Sequence, residues 1–259
     1  MDIRWNEQWL EASQQQNAPL QDKQLAHDTA STQLSNIIFD FSGVLYDNSS
    51  WRRWLIQQLS RIGVHTQYEL FFRLWECDYL PRPKEGLDYW HSLQKYLLAI
   101  GLNSGQAFEL TLAAKSRCEQ TMRQLRPFPG VAKTLHVLAA RGVRMDVVCS
   151  CHWSETEVHS RLQRMGLQRF FHSVNCLSKN EDLDISELIQ ETTASHGEVR
   201  HHSALVARTP RPLEAAQQLG LVAIAFNQTN DCVASIHLDR IDDLLVLTSV
   251  SPNSRRLAG

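Results

Sequence analysis

After Pro127-Phe128-Pro129-Gly130 the sequence alternates helical and strand-like segments almost to its end, and this repetition restricts the fold more than any other feature. A helix is expected over Val131–Ala140, followed after Arg141-Gly142 by a strand over Val143–Cys149. A helix over Glu155–Arg164 then leads through Gly166 to a strand over His172–Leu177. A helix over Ile185–Ala194 precedes a strand over Ala204–Ala207, and a helix over Leu213–Leu219 precedes a strand over Leu221–Phe226. Strand–helix units of this length imply a parallel sheet with right-handed crossovers and helices on both faces.

One more strand stands upstream. Ile37-Ile38-Phe39 is a short apolar run that stops at Asp40, with Ser42-Gly43 and then Leu45-Tyr46-Asp47 after it. Such a run reads as a buried strand that carries an acid to the C-terminal edge of the sheet, where open α/β sheets bind their ligands. Between Asp47 and Pro127 the spacing turns helical. Trp51, Trp54, Leu55, Leu59 and Ile62 mark one segment, and Leu70, Phe71, Leu74 and Trp75 a second. Pro81-Arg82-Pro83 interrupts the pattern before a third helix with Tyr89, Trp90, Leu93, Tyr96 and Leu97, and a fourth runs from about Ser104 to Leu125. No strand-like alternation occurs there, so the stretch reads as an all-helical insertion whose tryptophans are mainly its own core.

A length of 259 residues with 43% hydrophobic content suffices for one sizeable core with a smaller inserted subdomain. The formal charge of −2 and the lack of a basic stripe argue against nucleic acid as a partner. Six cysteines without a CxxC pair indicate neither a zinc site nor a disulfide framework, which fits reduced thiols. Nothing approaches a membrane-spanning run, and no signal-peptide pattern opens the chain, so a cytoplasmic protein without membrane contact is expected. Residues 1–35 are largely polar, with Trp5, Trp9 and Leu10 able to form one short amphipathic helix, and read as a loosely packed leader.

The segment from Asn36 to Asp47 resembles the first motif of the haloacid dehalogenase-like (HAD-like) superfamily, a strand ending in Asp-x-Asp-Gly-Thr/Val-Leu. Pro127–Val131 resembles the re-entry into the core after a helical cap, and Val147-Val148-Cys149-Ser150 the second motif. Lys179 follows at about the separation of the third-motif lysine, Val206–Ala216 takes the place of the fourth motif, and Ile241–Leu245 that of the last short helix. The resemblance spans roughly residues 36 to 247. It implies an α/β fold with a Rossmann-like parallel core, made from 36–47 and 127–250, an inserted helical cap at 48–126 and a C-terminal tail at 251–259. The family's chain order places the first strand at the centre of five, so that the tips carrying Asp40, Ser150 and Arg208 converge.

The resemblance further implies Asp40 as nucleophile, with Ser150 and Lys179 as catalytic contacts. Ser42, Gly43, Arg208, Thr209 and Arg52 are the candidates for substrate binding. Plainer readings stay open beside these. Asp40 would serve equally as an acceptor for backbone N–H groups, Ser42 as a turn residue, Ser150 as a helix cap, and Lys179 and Arg52 as surface cations. Ser154 with Glu157 makes a capping box that competes with Ser150. Two departures from the family pattern concern the metal. Arg208 stands where a fourth-motif aspartate would bind Mg²⁺, and Pro212 stands at the second acidic position. Mg²⁺ is the family's cofactor, yet its ligands are largely missing, so no metal site and no cofactor are expected. The resulting expectation is a hydrolase of a small anionic molecule through Asp40, with a catalytically inactive protein of binding or regulatory role, open to a protein partner, as the alternative.

Overall fold

The computed structural model describes residues 34–79, 89–150, 153–177, 184–194, 202–227 and 233–248. At its centre is a parallel sheet of six strands in the order β3-β2-β1-β4-β5-β6. The strands are β1 (Asn36–Asp40), β2 (Arg144–Cys149), β3 (Ser173–Cys176), β4 (Ser203–Ala207), β5 (Val222–Phe226) and β6 (Ile236–Leu238). The expected five strands are present and β1 lies inside the sheet, between β2 and β4. The sixth, β6, was not foreseen. It is three residues long, occupies the edge beside β5, and its Ile236-His237-Leu238 is too short to show a period.

All five residues of β1 are buried, as a strand covered on both faces requires. Alternate side chains serve two cores. Ile37 and Phe39 join the larger one with Val147, Cys149 and Val206, whereas Ile38 joins a smaller one with Val148, Leu205 and Ala207. The helices α5 (Val131–Ala140) and α6 (Glu155–Arg164) cover the first face, and α7 (Ile185–Ala194) and α8 (Pro210–Gln218) the second. The short α9 (Leu244–Leu247) follows a 3₁₀ turn at Ile241–Asp243 and packs against α5. Packing begins slightly before residue 36: Leu34 is buried and the Ser35 N–H donates to the His202 carbonyl at 2.9 Å.

The insertion leaves the sheet just beyond β1 and consists of α1 (Ser49–Arg61), α2 (Tyr68–Leu74), α3 (Tyr89–Ala99) and α4 (Ser104–Arg123) among the described residues. Helix α2 passes into a π-helical turn at Trp75–Tyr79, a distortion frequent at functional sites. The chain returns beside its own exit, where Tyr46 bridges Pro127 and the Phe128 N–H donates to the Leu45 carbonyl at 3.1 Å. Trp51, Trp75 and Trp90 are buried in the insertion, with Trp54 partly so, as their spacing predicted. Pro81-Arg82-Pro83 lies outside the described residues. The core around Trp51, Trp75 and Trp90 is continuous with Phe41, Leu45 and Tyr46 of the β1 loop, so insertion and sheet share one apolar interior.

Candidate active site

Parallel strands end together, and here the three central tips form one edge. Asp40 closes β1 opposite Val148, and Ser150 follows the end of β2. Arg208 follows the end of β4, whose Val206 pairs with Phe39. With neighbouring strands about 4.8 Å apart, the two flanking tips are separated by roughly 10 Å across Asp40. Asp40 is 1% exposed, so its carboxylate is held in a low-dielectric position. The Phe41 N–H still donates to the Val148 carbonyl at 2.9 Å, which extends the pairing past the acid and fixes its direction.

The loop after Asp40 explains two of the candidate residues. The Ser42 hydroxyl lies 3.0 Å from the Tyr46 hydroxyl, a bond that closes the turn. Gly43 has φ +80°, and a β-carbon there would stand 3.1 Å from Arg208 Cδ. Glycine is therefore demanded by the backbone and by the aliphatic stem of Arg208, which lies against the loop. Asp47 holds the start of α1 by accepting from the Ser49 N–H at 2.8 Å and the Ser49 hydroxyl at 3.0 Å.

Among the described residues the Arg208 guanidinium makes no hydrogen bond or ion pair. Thr209 is the N-cap of α8 without a side-chain capping bond, and Pro210 and Pro212 stand in the first turn. Proline brings no N–H, so this helix start offers an anion fewer donors than usual. Arg208 and Thr209 are the polar side chains that directly follow β4.

Ser150 does not cap the next helix. That is done by Ser154, which shares a full capping box with Glu157. Lys179 lies outside the described residues. Among those described, no group of three or more His, Cys, Asp or Glu residues is arranged to hold a metal ion.

The cap contributes a charged cluster. Arg52, on α1, is ion-paired with Glu76 of the π-turn, and both side chains are mostly buried. Its guanidinium stacks 4.7 Å from the Phe72 ring centre. Burial opposes the charge of Arg52, but Glu76, Tyr89 and Tyr68 outweigh it and raise the pKa above its ordinary value. Arg52 is thus engaged within the cap. Tyr68, at the start of α2, packs on Phe72 at 5.0 Å between ring centres. Burial pushes its phenol above the ordinary tyrosine range, while Arg52, Arg208 and Arg53 pull the other way. Tyr68 and Glu76 carry no sequence signal, because their roles arise from contacts between segments that are far apart in the chain.

A family model described as haloacid dehalogenase-like hydrolase matches residues 85–226, more than half of the chain. The chain belongs to the HAD-like hydrolase family. This match begins in the cap and does not include the Asp40 strand. No curated protein matches by sequence. Solved structures resemble the HAD-like chain over most of its length. A dehalogenase determined with an intermediate complex is 17% identical, with a TM-score of 0.60, over 85% of this chain and 99% of its own. A predicted phosphoglycolate phosphatase from Haemophilus somnus is 14% identical, with a TM-score of 0.62, over 85% of this chain and 100% of its own. The HAD-hydrolase YfnB from Bacillus subtilis, bound to magnesium, is 10% identical with a TM-score of 0.62, over 84% and 100% of the two chains. At these identities the likeness establishes the fold.

Proposed function

We propose that this HAD-like protein hydrolyses a small anionic substrate through Asp40, with Arg208 in place of the charge that a metal supplies in relatives such as YfnB. The observation that carries the reading is the buried carboxylate of Asp40 on a central strand tip, beside a loop against which the stem of Arg208 packs. In the first step a carboxylate oxygen of Asp40 attacks the electrophilic carbon or phosphorus, and the bond to the leaving group breaks with its electron pair. Water then cleaves the resulting ester or acyl phosphate and restores the carboxylate. Arg208, with Ser150 and Lys179, carries the substrate's anionic oxygens, and Gly43 and Thr209 bound the same pocket. Arg52, held by Glu76, acts on it through the shape and charge of the cap.

The donors fit a divalent cation poorly. Mg²⁺ needs several oxygen ligands, and a fixed guanidinium at the β4 tip repels it. Position 42 offers a hydroxyl already bonded to Tyr46, not a carboxylic acid able to protonate a leaving group. Both points favour substrates whose leaving group departs as a stable anion. The same two points also favour a second reading, in which the cleft binds an anion without turning it over.

The test is turnover of a panel of short haloacids and phosphomonoesters by wild type and Asp40→Asn, with and without Mg²⁺. Turnover that is lost in Asp40→Asn and unaffected by Mg²⁺ or chelator supports the hydrolase. Anion binding without turnover supports the second reading, and turnover that requires Mg²⁺ overturns the metal-free mechanism.

A further inference from the structure

We infer that Tyr46 is a positioning residue for the Asp40 site: its side chain holds Ser42 in place, and its backbone ties the loop after Asp40 to the chain returning from the insertion. Resting on the reading of the Asp40 edge as the ligand cleft, this assignment adds a residue one position beyond the end of the first motif.

A buried phenol is costly unless its hydroxyl is bonded, whereas an aliphatic side chain would fill an apolar interior without that cost. Tyr46 is 1% exposed, and its hydroxyl meets the Ser42 hydroxyl at 3.0 Å. The ring is held by Phe41, at 4.9 Å between ring centres. A ring fixed by packing therefore delivers the hydroxyl to Ser42, which stands two residues past Asp40. The backbone of the same residue pairs with both Ser42 and Pro127. Its neighbours continue the fastening. The Leu45 carbonyl accepts from the Phe128 N–H at 3.1 Å, and Asp47 holds the start of α1 through the Ser49 N–H at 2.8 Å.

Asp40 is thus followed by a short loop closed at both ends. At its start the Phe41 N–H donates to the Val148 carbonyl at 2.9 Å, beside β2. At its end Tyr46 turns back to Ser42, with Gly43 between them against the stem of Arg208. The insertion begins and ends at this second closure, since α1 starts at Ser49 and the chain comes back at Pro127. Phe41, Leu45 and Tyr46 also share one apolar interior with Trp51, Trp75 and Trp90. A shift of the insertion against the sheet is therefore carried to Ser42 through a single packed side chain. Tyr46 acts through Ser42 and takes no part in bond breaking.

The experiment compares wild type, Tyr46→Phe, Ser42→Ala and the double variant as full chains, by amide exchange, urea unfolding and turnover of the short haloacids and phosphomonoesters. Phenylalanine keeps the ring and removes only the hydroxyl. Tyr46→Phe should therefore speed exchange over residues 42–45 about tenfold, the scale of one lost hydrogen bond, and leave β1 and α5 unchanged. Misplacement is felt most where geometry is strictest, in the transition state, so kcat should fall about tenfold while KM changes by less than about twofold. In the Ser42→Ala background Tyr46→Phe should change neither quantity further, because the two hydroxyls act as one pair. Wild-type loop exchange in Tyr46→Phe would overturn the inference, as would equal effects of that substitution with and without the Ser42 hydroxyl. Faster exchange throughout β1 and α5 with a lowered unfolding midpoint would mean a merely structural role and also overturn it. A raised KM with unchanged kcat would make Tyr46 a substrate contact and overturn the positioning role. If wild type turns over none of the panel, the hydrolase reading falls, while faster exchange over residues 42–45 that depends on the Ser42 hydroxyl would still sustain the positioning of the loop.

Discussion

Arg208 packs against Gly43 so closely that a β-carbon on the glycine would stand 3.1 Å from Arg208 Cδ. The tip of β4 thereby shapes the loop that follows Asp40, and a change at either residue is felt by the other. Gly43→Ala should destabilise the protein by about 1 to 2 kcal/mol from the left-handed backbone alone, with the steric contact adding to it. In an Arg208→Ala background the steric part should vanish and the backbone part remain. Urea unfolding of the four proteins in this cycle measures the difference, and equal costs in the two backgrounds would show that the contact carries no energy.

The buried pair in the cap gives a sharper response. Removing one partner strands a desolvated charge, so Glu76→Leu should cost about 3 to 5 kcal/mol. Replacing both, as Arg52→Met with Glu76→Leu, should cost much less, because the desolvation penalty disappears with the charges. If the double variant is as unstable as Glu76→Leu, the pair's partners are held by packing and not by charge.

Tyr68 ties stability to alkaline pH. Its phenol has a folded pKa raised above the unfolded value, first by burial, so the folded state holds the proton more tightly. The contribution is fully present below the unfolded pKa of about 10 and is lost as pH rises through the folded pKa. Wild type should therefore lose more stability than Tyr68→Phe above about pH 10. In Arg208→Gln one of the cations that favours the phenolate is gone, so the phenol should titrate at still higher pH. Absorbance of the phenolate as a function of pH reads both effects, and a downward shift in Arg208→Gln would contradict the pull of Arg208 on the phenol.

Much of the fold was legible because it rests on local signals. The helices Val131–Ala140, Glu155–Arg164 and Ile185–Ala194 have the bounds that apolar spacing and flanking residues predict, and the Ser154–Glu157 capping box forms as read. Helix α8 starts at Pro210, earlier than the expected Leu213, since proline is well suited to a first turn whose N–H groups have no helical partner. The strand β6 was hidden by its three-residue length, and Leu34 by the polar residues around it. At the candidate site the strand tips could be placed from motif order alone. The Arg52–Glu76 pair, the stem of Arg208 on Gly43 and the buried hydroxyl of Tyr68 could not, because each joins segments distant in sequence and leaves no periodic mark in any of them.

A buried polar network between β2, β3 and α7 should be as sensitive as the cap pair. Asp146 is fully buried on β2, where it accepts from the Ser173 hydroxyl at 2.6 Å and faces the Arg144 guanidinium at 3.6 Å. Asn175 continues the chain by donating to Ser173 and to Thr192 of α7, each at 3.1 Å. Asp146→Ala should cost about 3 kcal/mol or more, since it removes a charge-assisted acceptor and a partner of Arg144 together. Ser173→Ala should cost less, and a melting curve in which the two are equal would place the energy in the hydroxyl.

The last helix of the insertion is fastened to the sheet domain through Arg164. Arg164, at the end of α6 in the sheet domain, donates through Nη2 to the carbonyl of Arg123 at 2.6 Å and to that of Met122 at 3.3 Å. These belong to the final turn of α4, whose carbonyls have no partners within the helix, and a cation there also complements the helix dipole. The core thus caps the last helix of the insertion immediately before the chain returns at Pro127. Arg164→Gln should leave the sheet intact and loosen this end of α4, at a cost of about 1 kcal/mol because the arginine is exposed. Amide exchange should accelerate over residues 119–126 and not over β1 or β4, and trypsin should cut after Arg123 or Arg126 sooner than in wild type. Arg164→Lys retains the charge but not the forked geometry, so it should restore protection only in part. Uniformly faster exchange throughout residues 130–247 would show instead that Arg164 supports the whole domain and does not fasten the cap.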